Sequence, residues 1–164
     1  MANSTKPALV VFAWGNASRG DDGIGPRIAD RLRKLARSRV ELIEDHQLNI
    51  EHVTDIPDDV PLLFIDASVA IEHGFGVQRL APSDDGNFST HAISPAALLN
   101  VYRETMQRPA PEAFLLHIAG RYFELGDDLS SEADDALSAA WDFLKSILKL
   151  PETEWPKRLA KAVT

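Results

Sequence analysis

The stretch A-L-V-V-F-A-W-G-N-A-S-R-G-D-D-G-I-G-P, Ala8 to Pro26, decides the fold class. Ala8 to Ala13 is an unbroken apolar run with β-branched and aromatic members. Such a run suits a strand buried on both faces, as in a parallel sheet. Four glycines follow, with the adjacent acids Asp21 and Asp22 among them, and Pro26 then opens a helix. A glycine-rich turn between a first strand and a helix ordinarily offers backbone amides to phosphate. Two carboxylates there repel an anion. Ala13-Trp14-Gly15 stands where a dinucleotide fingerprint needs G-x-G, and no Walker lysine follows. The loop is better suited to a cation. The helix dipole would hold Asp22, four residues before Pro26, in its ionised form.

Outward from this loop, strands and helices alternate. The Pro26 helix carries Ile28, Leu32 and Leu35 on one face, with Asp30 and Lys34 spaced to pair. A strand over 40–43 runs into Glu44-Asp45-His46-Gln47, and 48–56 reads as a short helix. The run 61–67 is a third strand with Asp66 near its carboxyl end, and 76–80 a fourth, at an edge. A polar loop over 84–90 ends at His91. A helix over 94–106 and a strand over 113–118 follow. Ser130 or Ser131 then caps a long helix with Glu132, Asp134 and Asp135 in its first turn. Ala133, Leu137, Trp141, Leu144 and Leu148 line one face of it, with Trp141 as the anchor.

This order predicts a single-domain three-layer α/β/α sandwich around a mostly parallel twisted sheet of about five strands, with right-handed crossovers. The domain is expected over 1–150, with 151–164 as a tail or weak helix. Ligands of such folds sit beyond the carboxyl ends of the strands. The loops after strands one and two, Asp66 and His91 therefore fall on one rim.

Composition narrows the chemistry. A formal net charge of −8 argues against nucleic acid and anionic membrane as partners. The chain has no cysteine, which excludes disulfides, thiolate metal sites and a cysteine nucleophile. The N-terminal apolar run is too short for a membrane span or a signal peptide, so a cytoplasmic protein is expected. Neither G-x-S-x-G nor H-E-x-x-H occurs. Asp22, Asp66 and His91 form a mixed oxygen and nitrogen donor set. It suits nickel, zinc, copper or manganese better than calcium.

Each of these residues also has a plainer reading. An acid pair in a glycine-rich loop commonly makes a solvated helix cap, Asp66 can cap the turn after its strand, and a lone His91 can be structural. His46, His52 and His73 show no partner pattern, and His117 reads as a core histidine inside an apolar strand.

Four segments in order carry a resemblance: G-N-A-S-R-G-D-D-G-I-G, L-L-F-I-D-A, S-T-H-A-I-S-P-A-A-L and L-H-I-A-G-R-Y-F-E-L-G-D-D-L-S-S-E. Together they resemble the nickel–iron hydrogenase maturation endopeptidases, collinear from Leu9 to Leu148. The resemblance implies an enzyme that removes the C-terminal extension of a hydrogenase large-subunit precursor after nickel insertion. Nickel is then supplied by the precursor, with no organic cofactor, and Asp22, Asp66 and His91 are its contacts. Either a metal-bound water or Asp66 as base initiates the cleavage. Ala13 departs from the family's usual glycine, and E-D-H-Q replaces its usual D-x-G-T. The latter form is similar to the branch serving soluble NAD-reducing hydrogenases, and it makes Asp45, His46 and Gln47 candidates for substrate choice.

Two other classes compete. A receiver-like phosphoacceptor module would use Asp21, Asp22 and Asp66. It needs its acid pair directly at a strand end and a lysine after strand five, where this chain has Ala119-Gly120-Arg121. A nickel-dependent precursor-binding chaperone would bind without cleaving.

Overall fold

A computed structural model of the chain describes residues 6–84 and 92–164. The opening apolar run forms β1 (Leu9–Trp14), and Leu9 through Ala13 are buried. β2 (Val40–Asp45) and β3 (Leu62–Ser68) lie parallel to it on either side. β5 (Ala113–Ala119) continues the sheet parallel to β3, and β4 (Phe75–Leu80) closes the edge antiparallel to β5. The order is β2-β1-β3-β5-β4, so the sheet has five strands, four of them mutually parallel.

Side-chain alternation splits the core into two layers. Leu9, Val11, Ala13, Leu63 and Ile65 face α1 (Ile24–Leu35) and α3 (Ser131–Leu148). Val10, Phe12, Leu62 and Phe64 face α2 (Pro95–Met106) and the 3₁₀ turn Ile50–Asp55. Phe12 stacks on Phe64 with ring centroids 4.9 Å apart. The expected three-layer α/β sandwich is the observed one.

Several boundaries differ from the sequence expectation. α1 begins at Ile24, ahead of Pro26, because the 3₁₀ turn Gly20–Gly23 feeds directly into it. The expected helix over 48–56 is a 3₁₀ turn, started by a capping box between Asn49 and His52. β1 and β2 run on to Trp14 and Asp45, since their registered pairing extends that far. Ser130 is the cap of α3, its hydroxyl accepting from the Ala133 amide at 3.2 Å.

The anchor is a different tryptophan. Trp141 is half-buried, whereas Trp155 is 1% exposed and donates from Nε1 to the Leu150 carbonyl at 3.0 Å. Trp155 opens α4 (Trp155–Lys161), which also buries Leu159. Val163 then bridges to Val77, and the Thr164 amide donates to the Val77 carbonyl at 3.3 Å. The segment expected to be a tail or weak helix thus packs on the core and covers part of the outer side of β4, an edge strand that would otherwise template pairing. Trp155→Ala should cost about 3–5 kcal/mol, the usual loss for deleting a buried aromatic. Trp141→Ala should cost clearly less, as urea denaturation of the two variants will show.

Candidate functional site at the strand-order reversal

The chain leaves β1 for β2 on one side of the sheet and later places β3 on the other. Ligand crevices of doubly wound folds lie at such a reversal, beyond the carboxyl ends. The glycine-rich loop is built to sit there tightly. Gly15 has φ +141°, and a side chain on it would put its Cβ 2.1 Å from the Asp22 carbonyl oxygen. A Cβ on Gly25 would lie 2.0 Å from the Trp14 carbonyl oxygen. The glycines let the loop fold back onto the strand end, which is why they occur without a phosphate.

Asp22 is half-buried, and its Oδ2 accepts the Asn16 amide at 2.7 Å. Asp66 is also half-buried, in the last turn of β3's pleat, and its carboxyl is pushed up to about 6. Burial is the larger cause, the negative charge of Asp22 adds to it, and the Ala67 amide opposes both. The charge of Asp22 is thus felt at Asp66 across the reversal. His91 lies outside the described residues. Among the described residues, no group of three His, Asp or Glu side chains is arranged to hold a metal ion.

Asp21 has a different role from its neighbour. It is 0% exposed. Its Oδ2 accepts the Arg121 amide at 2.8 Å, the Tyr122 amide at 3.1 Å and the Ser130 hydroxyl at 3.0 Å. Its Oδ1 accepts the Ser130 amide at 2.8 Å. Burial pushes its pKa up, but these hydrogen bonds outweigh it and hold the carboxyl below its usual value. The acid pair is therefore not a solvated cap: one member is a buried anchor and the other is half-buried and bonded to the Asn16 amide. The receiver-like reading, which needs both acids at one site, loses its geometry.

Asp45, His46 and Gln47 are exposed at the carboxyl end of β2, on the far side of β1 from Asp66. Asp45 accepts the His46 amide at 2.7 Å and lies 3.3 Å from Nε2 of His52. His52 has a partner after all: it is buried, and its Nδ1 accepts the Asn49 amide at 3.0 Å. His117 is half-buried, not a fully enclosed core residue, and stands in register with Asp66. A polar residue near the carboxyl end of an otherwise apolar strand was the available signal.

No protein-family model and no curated protein matches the chain. Solved structures do. The hydrogenase maturation protease HycI from Thermococcus kodakarensis superposes with a TM-score of 0.67 at 22% identity, over 90% of this chain and 96% of that one. The endopeptidase HybD from E. coli gives 0.64 at 21%, over 86% and 92%. The hydrogenase 2 maturation peptidase from a Thaumarchaeota archaeon gives 0.60 at 23%, over 87% and 99%. The chain has the fold of the hydrogenase maturation proteases. At these identities the likeness establishes the architecture, and the site residues are argued on their own geometry.

Asp21 and Asp66 make opposite contributions to stability. Asp21→Asn removes the charge and puts an amide among three amide donors and a hydroxyl, so it should cost at least about 3 kcal/mol. Because the folded pKa of Asp21 is depressed, its contribution is present above the ordinary carboxylate range and lost as pH falls through the folded value. The gap between wild type and variant in urea denaturation should therefore shrink in acid. Asp66 has the opposite sign. Its raised value means folding carries a cost that grows as pH climbs from the ordinary carboxylate value through about 6. Asp66→Asn should be more stable than wild type at pH well above that value, by about 3 kcal/mol, and equal to it in acid.

Proposed function

We propose that the chain is an endopeptidase that removes the C-terminal extension of a nickel–iron hydrogenase large-subunit precursor once nickel is in place. The observation that carries this is the Asp22–Asp66 pair: one carboxylate in a glycine-rich loop where such folds ordinarily admit an anion, the other near the end of β3, with the charge of the first raising the pKa of the second. Unpaired like charges are costly, and a cation delivered by the substrate relieves them. Nickel already held by the precursor meets Asp22, Asp66 and His91, and its presence reports that insertion is complete.

Hydrolysis adds the hydroxyl of water to the scissile carbonyl carbon and a proton to the leaving nitrogen. A carboxyl at about 6 is suited to accept and return a proton near neutral pH. The large apolar side chains left exposed support a protein substrate at this edge. Ile50, Val69, Tyr122 and Leu125 all follow the carboxyl ends of β2, β3 or β5. Asp45, His46 and Gln47 flank the same edge and select the precursor, which we assign to the soluble NAD-reducing branch. No helix among the described residues is long and apolar enough to cross a membrane, and the reading places the protein in the cytoplasm with its substrate.

The test is a processing assay with nickel-loaded and nickel-free precursor, read by mass spectrometry. Loss of a C-terminal peptide from the loaded form alone is expected, and Asp22→Ala, Asp66→Ala and His91→Ala should each abolish it while keeping the fold. kcat/KM for the loaded precursor should fall as pH drops through about 6, because a proton on Asp66 of the free enzyme then competes with the incoming nickel. Nickel-dependent binding without cleavage would favour the chaperone reading instead.

A further inference from the structure

β5 is apolar along its length except at His117. Leu116 and Ile118 on either side are wholly buried, and His117 is not. It pairs in register with Asp66 on β3 and with Gly76 on β4. Phe114, Leu116 and Ile118 face α3, so alternation turns His117 to the opposite face, the one carrying Phe64 and Asp66. A Cβ on Gly76 would come within 2.6 Å of His117 Nε2 and 3.2 Å of its Cδ2. The imidazole is thus seated over the bare backbone of Gly76, and any side chain there would displace it.

No described residue hydrogen-bonds or ion-pairs with either ring nitrogen of His117. A half-buried polar ring without a partner carries an uncompensated desolvation cost. Burial also favours its neutral form, which offers one donor and one acceptor. Both properties fit a partner that arrives from outside.

We propose that His117 is a substrate-contacting residue, hydrogen-bonding the main chain of the precursor where the peptide passes from Asp66 toward the β4 edge. The inference depends on the endopeptidase reading above. Adjacent strands are about 4.8 Å apart, so the path from Asp66 over His117 to Gly76 spans about 10 Å, or three residues of extended peptide. A main-chain amide supplies both the acceptor and the donor that a neutral imidazole meets. The bare Gly76 leaves room for the ring and for the peptide above it.

The experiment measures affinity for nickel-loaded precursor by fluorescence anisotropy, together with the kinetics of its cleavage. His117→Ala should weaken affinity and raise KM by about three- to tenfold, the worth of one hydrogen bond, with kcat little changed. His117→Gln, which keeps one donor and one acceptor, should recover most of the loss, and His117→Leu should not. Gly76→Ala should reproduce the defect with the histidine still present. If wild type cleaves and His117→Ala matches it in affinity and KM, the proposal falls while the endopeptidase reading stands. Recovery by Leu as complete as by Gln overturns it too, since packing alone would then explain the residue. A fall in kcat with unchanged KM overturns it in favour of a role in the chemical step. If wild type neither binds nor cleaves loaded precursor, both readings fall. Should His117→Ala fail to fold, the Gln and Leu pair decides.

Discussion

The carboxylate of Asp21 is the constraint on which the site depends. It draws the loop after β1 onto the segment between β5 and α3, whose residues lie at least 100 positions away in sequence. Four donors converge on it, and one of them, the Ser130 hydroxyl, is also the cap of α3. Neighbouring backbone bonds reinforce the junction, from the Gly20 amide to the Asp127 carbonyl at 3.0 Å and from the Gly126 amide to the Ser18 carbonyl at 2.7 Å. Charge-assisted bonds inside a protein are about twice as strong as neutral ones. One side chain thus ties together the two loops that border the crevice.

That junction lets Asp22 be costly. Directly beside a satisfied buried acid stands one whose charge raises the pKa of Asp66. Ordinary folding would separate such a pair, so the strain has to be held by the surroundings. Here the holding is done by Asp21, by the Asn16 amide on Asp22 and by the close backbone contacts that Gly15 and Gly25 allow because they carry no side chain. The proposed function gives this repulsion a purpose, since a cation brought by the substrate would relieve it.

The rim has a graded character across the sheet. At β2 it is exposed and polar, with Asp45 braced by the buried His52. At β1 and β3 it is acidic. At β5 it carries an imidazole over a strand that supplies no side chain. Loops beyond the same edge expose Val69, Tyr122 and Leu125. A protein substrate meeting this edge would find apolar contact at its border and charge at its centre, the reverse of a usual interface. The metal-bearing substrate of the proposed function would give that inversion a reason.

Much of this was legible from residue order. Apolar runs at Leu9, Leu62 and Ala113 separated by helical periodicity could only make a parallel sheet between helix layers. The placing of Asp22 in the loop beyond β1 and of Asp66 near the end of β3 followed from the same alternation. Boundaries were less legible because strand ends depend on pairing partners: Trp14 and Asp45 extend β1 and β2 by holding each other in register. The burial of α4, expected only as a tail or weak helix, was not legible because a short, mildly basic stretch shows it only once a groove exists for Trp155. The division between Asp21 and Asp22 was invisible for a stronger reason. The two are chemically identical and adjacent, and what separates them is a set of amides more than 100 positions away. His117 likewise reads as core until Gly76 and Asp66 are seen beside it. Local pattern determined which elements form and which acids reach the rim, because propensity and periodicity act within a few residues. Tertiary structure alone decided which acid is buried and which histidine finds no partner among the described residues, because burial and hydrogen bonding depend on what the rest of the chain brings to each side chain.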